Sequence, residues 1–580
     1  MAEPGPVAEA FGQIAYAFSE VQPLIPTYAH LLLSALFPIY AGAHASLSRP
    51  SSAAKSGIYK RRSYATEDED EDEEDKVQRM EGLSPSDALM FPVLAGCTLA
   101  GLYFLIKWLQ DPALLNKILN WYFAVFGAVS VARLVADALA WINGMLFPNI
   151  WVQRDGVAWE VDNLSRRVVA DVKGKQRITW APLPGILSKL PLPDSVTNVL
   201  WTLREIPKHK WTIQVYARHV ISARTHIGIH GFIGTIVAGV AVMYFNLVDK
   251  PWWLTNLMGF GFSYGALQLM SPTTFGTGAL ILSALFFYDI YFVFYTPMMV
   301  TVAKSLDIPI KLLFPRPPEP GVPPEQAKRT HAMLGLGDVV LPGIMIGLAL
   351  RFDLYMFYLK KQRKLQKPAT IDEQGRVGYD TVVIKDPYTT LSGKWGDAFW
   401  SHSWTGRFLI PVIDTSSPLS KYDETTFPKP YFHASVAGYL LGLLTTLGVM
   451  HVFHHAQPAL LYLVPGVLLS LLLAGAVRGE LKEMWEFTEA EEEEVEEKKE
   501  KEKSKSDEKD SNKSKEDAAK KTTNEQDKKK EDIKEIEVEE EEKGEDKEVS
   551  AEGTSRRNWE LKDSSKDDDG EPPHKIRRMS

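Results

Sequence analysis

Nine apolar runs, each about 20 residues or longer, constrain this chain more than any other feature. They cover roughly 23–47, 88–109, 118–146, 226–248, 252–270, 276–303, 334–358, 431–453 and 458–477. About 20 helical residues cross the hydrocarbon core of a bilayer. Within that core every backbone amide must find its partner inside the protein, which leaves helices or closed barrels. The continuous, non-alternating runs predict an all-α polytopic membrane protein with nine transmembrane helices.

The bulk composition conceals this pattern. The chain is 45% hydrophobic with a formal net charge of −9, values ordinary for soluble domains. Residues 481–580 alone carry a net −12, leaving +3 for residues 1–480, so the acidity describes a tail. From Glu489 onward that tail is Lys- and Glu-rich and almost free of aromatics. Such a sequence buries too little apolar surface to offset the entropy of ordering, and disorder is expected. The single cysteine, Cys97, excludes an intrachain disulfide.

The sixth run holds an anomaly, Phe286-Phe287-Tyr288-Asp289-Ile290-Tyr291, with a carboxylate in mid-membrane. A charged group there costs ~3 kcal/mol even on lenient scales, so Asp289 calls for a function. A second carboxylate stands in Gly335-Leu336-Gly337-Asp338, at the mouth of the seventh run. A third motif, Gln457-Pro458-Ala459-Leu460, opens the ninth. Taken alone, Asp289 fits a proton-relay or ion site in a transporter as well as it fits catalysis.

Tyr-Asp, Gly-Leu-Gly-Asp and Gln-Pro-Ala-Leu, in that order on three separate runs, are similar to the signature of the intramembrane aspartyl proteases, the presenilin and signal peptide peptidase family. Val300-Thr301-Val302-Ala303-Lys304-Ser305-Leu306-Asp307 and the string from Gln457 to Pro465 resemble the signal peptide peptidase branch. The resemblance covers about residues 26–480. It implies a presenilin-like fold in which Asp289 and Asp338 are catalytic and Gln457, Pro458, Ala459 and Leu460 shape the active site, with no cofactor and no metal. Tyr288 is expected beside the pair as a hydrogen-bonding neighbour, and Gly335 and Gly337 to permit close approach of a substrate strand.

Two neighbouring carboxyl groups suit peptide hydrolysis because they can share one proton. The ionised one acts as general base toward water while the protonated one polarises the scissile carbonyl. The implied substrates are leftover signal peptides and type II or tail-anchored membrane proteins. Candidate partners are these transmembrane peptides, the lipid bilayer, a second copy of the chain and membrane-protein degradation machinery; nucleic acid is not among them. A proton-coupled transporter or channel, and a non-proteolytic chaperone in membrane-protein degradation, are the alternative readings.

Charge sets the expected topology. Arg49, Lys55, Lys60, Arg61 and Arg62 follow the first run, and Lys360, Lys361, Arg363 and Lys364 follow the seventh; both clusters read as cytosolic. The residues before the first run contain no Lys or Arg, so it reads as a retained signal-anchor. The expected organisation is a lumenal N-terminus (1–22), transmembrane helices 1–3 with an acidic cytosolic loop (23–146), and a small β-containing cytosolic insertion (147–225). Helices 4–6 (226–303), a Pro-rich loop (304–333), helix 7 (334–358), a cytosolic loop (359–430), helices 8–9 (431–480) and a disordered charged cytosolic tail (481–580) complete it. The endoplasmic reticulum membrane is the compartment the resemblance implies. In the third run Arg133 and Asp137, at i and i+4, are expected to form a structural ion pair.

Overall fold

The structure is a computed structural model. It describes residues 22–489 except 55–79, 110–112, 153–156, 173–174, 185–186, 189, 218–220, 307–310, 317–330, 372–376, 389–392, 394, 402–426 and 454–456. The acid run, the prolines after Arg316 and the tail beyond Glu489, with its expected disorder, lie outside the described residues.

Helix α1 (Ile25–Ala45), strand β1 (Glu81–Leu83) and helices α2 (Pro85–Leu109) and α3 (Ala113–Leu146) open the chain. A β-containing insertion follows. Strands β2 (Ile150–Val152), β3 (Ala158–Asp162), β4 (Arg167–Val172) and β5 (Lys175–Thr179) form an antiparallel meander. Helix α4 (Asp194–Glu205) and a hairpin of β6 (Lys210–Ala217) and β7 (Ile221–Gly228) complete it. The buried guanidinium of Arg204 holds the insertion together, donating to the carbonyls of Pro148 and Pro182 and to Asn163 Oδ1.

The second half runs through α5 (Ile229–Leu247), α6 (Trp252–Leu269), β8 (Met270–Pro272), α7 (Phe275–Phe294) and α8 (Met298–Ser305). An antiparallel hairpin of β9 (Lys311–Pro315) and β10 (His331–Gly335) leads directly into α9 (Gly337–Lys361). After it come the hairpin β11 (Arg363–Ile371) and β12 (Val377–Ile384), α10 (Trp395–Ser401), α11 (Pro430–Phe453), α12 (Leu460–Arg478) and α13 (Leu481–Glu486).

Eight of these helices are long and apolar enough to cross a membrane. The fifth expected span forms helix α6, which is not among the eight: its 18 residues include buried Thr255, Asn256, Ser263 and Gln268, which dilute its apolar character. These polar groups serve packing: Asn256 exchanges two hydrogen bonds with the Leu313 backbone of β9, at 2.7 and 2.9 Å. Gly261 lets α6 lie against α3, since a Cβ there would stand 2.7 Å from Val131 Cγ2.

The sixth expected span is corrected to two helices. α7 ends at Phe294 and α8 starts at Met298, because Pro297 disfavours helical backbone at Thr296 and cannot donate to the ladder. At the start of α7, Thr274 Oγ1 accepts the Thr277 N–H at 3.1 Å, a side-chain cap.

The centre of the bundle is α9. Of its most apolar 18 residues 83% are buried, against 33% or less in the other seven apolar helices. Its far end is tied down by polar groups. Arg351, 4% exposed, reaches Glu489 at 2.5 Å, Ser271 at 2.5 Å and Ser46 at 2.8 Å. Asp353 accepts the N–H groups of Tyr431 and Phe432 at 3.2 and 2.9 Å, occupying donors at the start of α11.

Candidate active site

Three helix segments bring the sequence motifs together. Asp289 lies five residues before the end of α7 and is 5% exposed; Asp338 is the second residue of α9 and half-buried; Leu460 is the first residue of α12. Since α7 finishes where α9 and α12 begin, all three motifs sit toward one end of the bundle. The two carboxyl groups are close enough to interact electrostatically.

The Gln-Pro-Ala-Leu motif meets Asp289 through its backbone. Pro458 has no N–H, and the chain turns at Ala459 before α12 starts, so the Leu460 N–H has no acceptor within its own helix. It donates instead to Asp289 Oδ2 at 3.2 Å. Pro458 and Leu460 are buried; Gln457 and Ala459 are half-buried. A helix N-terminus aimed at a carboxyl oxygen fixes the orientation of that group.

The glycines lie on either side of the entrance to α9. Gly335 is the last residue of β10 and Gly337 the first of the helix. A Cβ on Gly335 would stand 3.4 Å from Asp338 Oδ2, so the absent side chain keeps one face of that carboxyl open. Gly337 has no comparable neighbour, only Leu341 Cδ1 at 4.0 Å. The ring of Tyr288 lies 4.6 Å from that of Phe292 and faces Gly96 of α2; its hydroxyl makes no hydrogen bond with a described residue.

Sequence reasoning missed Tyr439. Fully buried in α11, it donates its hydroxyl to the Asp338 carbonyl at 3.3 Å, bracing the first turn of α9. A tyrosine within the eighth apolar run was the only signal, and nothing local pointed to its partner 101 residues earlier. Among the described residues no group of three or more His, Cys, Asp and Glu side chains is arranged to hold a metal.

Fold and site together define a multi-pass membrane protein with two acidic side chains close enough to interact at one end of its helix bundle. The family model described as signal peptide peptidase matches residues 72–491, and the chain belongs to that family of intramembrane aspartyl proteases. It is similar to the signal peptide peptidases of Mus musculus and Homo sapiens, 28% and 27% identical over 464 residues, or 80% of this chain and 83% of each relative. Intramembrane protease 2 of Caenorhabditis elegans is 34% identical over 249 residues, 43% of this chain and 41% of that protein. No solved structure matches.

Proposed function

We propose that Asp289 and Asp338 form the catalytic pair and hydrolyse peptide bonds inside transmembrane segments, chiefly leftover signal peptides and type II or tail-anchored membrane proteins. The observation that carries this reading is the meeting of the end of α7, the start of α9 and the Leu460 N–H, which brings two carboxyl groups close enough to interact. One carboxylate takes a proton from water as the oxygen attacks the scissile carbonyl, and the other, protonated, donates a hydrogen bond to that carbonyl. Collapse of the tetrahedral adduct breaks the C–N bond, and the leaving nitrogen takes a proton from the pair. The titration belongs to the pair, so neither residue is assigned acid or base.

A substrate helix must be unwound before attack, because its amides are bonded to one another. Among the described residues β10 pairs only with β9, and it runs into Gly335-Leu336-Gly337-Asp338. A substrate strand added along the open edge of β10 would deliver its peptide bond to Asp338.

The proposed setting is the endoplasmic reticulum membrane with a lumenal N-terminus and a cytosolic C-terminus. Supporting it, the ends of α1, α6, α9 and α12 gather on one side, through Arg351 to Ser46 and Ser271 and through Lys360 to Glu480. The basic cluster after α9 lies on that side, as positive residues on a cytosolic face should. The test is incubation of the purified protein with a model signal peptide and mass spectrometry of the products. Cuts within the apolar stretch are expected; intact peptide together with ion flux in liposomes would favour the transporter reading.

A further inference from the structure

Away from the aspartates, α1 and α3 both pack on α6 and leave a groove of about 860 Å³ between them, with Tyr264 and Gln268 of α6 lining it. That volume lies within the range of small-molecule sites. Ser48, Met80 and Trp395 line it at the end where α1 and α6 stop. Along α1 it extends from Leu33 to Ala45, about 18 Å at 1.5 Å per residue, which matches the ~15 Å depth of one leaflet.

Two opposite charges face this groove, both from α3. Asp137 accepts the Tyr264 hydroxyl at 2.6 Å and Gln268 Nε2 at 3.4 Å. The expected ion pair is therefore replaced by bonds to α6: Arg133 is exposed and has no hydrogen bond or ion pair with a described residue. Gln268 is the next-to-last residue of α6, so Asp137 lies nearer the end of the bundle and Arg133 about 6 Å deeper. Tyr40 and Trp141 line the same groove, aromatic groups of the kind that settle at the headgroup level.

We propose that this groove binds one zwitterionic phospholipid, with its phosphate on Arg133, its ammonium toward Asp137 and the aromatic rings, and its acyl chains along Leu33 and Phe37. The order of charges decides the headgroup. In a zwitterionic lipid the phosphate lies deeper than the ammonium, and here the cation lies deeper than the anion. Phosphatidylglycerol would place the same phosphate on Arg133 but offers Asp137 a neutral glycerol in place of the ammonium, so the carboxylate gains no counter-charge.

The test equilibrates the purified full-length protein, in mild detergent, with equal amounts of phosphatidylethanolamine and phosphatidylglycerol of identical chains, and reads bound lipid by native mass spectrometry. The wild type is expected to retain one phosphatidylethanolamine in preference to phosphatidylglycerol. Arg133→Gln should lower retention about tenfold, the scale of one charge-assisted hydrogen bond, while Arg133→Lys keeps most of it. Asp137→Asn should erase the headgroup preference and leave the binding. Equal retention of both lipids by the wild type, or undiminished retention by Arg133→Gln, overturns the proposal.

Discussion

The backbone N–H of Leu460 points at Oδ2 of Asp289, 3.2 Å away, so the motif that opens α12 acts on the site through its main chain. Leu460→Pro deletes this donor and also disfavours the αR backbone of Ala459 before it, so both changes act on the turn that meets Asp289. Leu460→Ala removes the buried side chain and keeps the N–H. A hydrogen bond to a charged group is worth roughly 1.5–3 kcal/mol, so kcat should fall about 10- to 100-fold in the proline variant and much less in the alanine variant. Steady-state cleavage of a fluorogenic transmembrane peptide measures both.

Gly335 protects the other carboxyl. In Gly335→Ala the new methyl stands 3.4 Å from Asp338 Oδ2, in the space a water or carbonyl would use. Activity is expected to drop about tenfold with the melting temperature unchanged, since misplacement at a reacting centre costs rate before stability.

Arg351 and Glu489 tie the Asp338 helix to the segment after α13. Removing Glu489 leaves a nearly buried guanidinium without its counter-charge, a loss of ~3–5 kcal/mol. A chain ending at Glu489 should melt as the full protein does, while one ending at Glu486, or Glu489→Ala, should melt several degrees lower in a thermal-shift assay.

Lys429 precedes α11, 2.9 Å from His44 Nε2. Burial pulls its ammonium down to about 8, while Asp353 acts in the opposite direction. Between that value and the ordinary 10.5 the unfolded chain binds the extra proton and the folded one does not, so Lys429 makes stability rise with pH across this window. Below about 8 both states are protonated and the slope from this residue vanishes. Melting temperatures from pH 7 to 10.5 should show this rise in the wild type and a smaller one in Lys429→Met.

The spans were legible because each is a continuous apolar run, and the aspartates because a carboxylate in such a run stands out. Asp353 and Arg351 also lie in the seventh run, yet the sequence reading passed over them. Their partners are 78 to 305 residues away, and nothing local marks Glu489 as different from the acids that follow it. The break at Thr296-Pro297 was written in the sequence but hidden by the apolar residues around it. Asn256 and Gln268 diluted the fifth run because they bond to β9 and to Asp137, contacts that only the folded bundle creates. The pairing of β1 with β8 is likewise invisible to periodicity, since three residues carry no pattern.

The most direct measurement of the central claim is cleavage of a model signal peptide by the purified protein beside Asp289→Asn and Asp338→Asn, with the fold of each checked by thermal melt. The account predicts turnover by the wild type and none above background in either folded variant. Turnover persisting in either variant would contradict a catalytic role for the Asp289 and Asp338 pair.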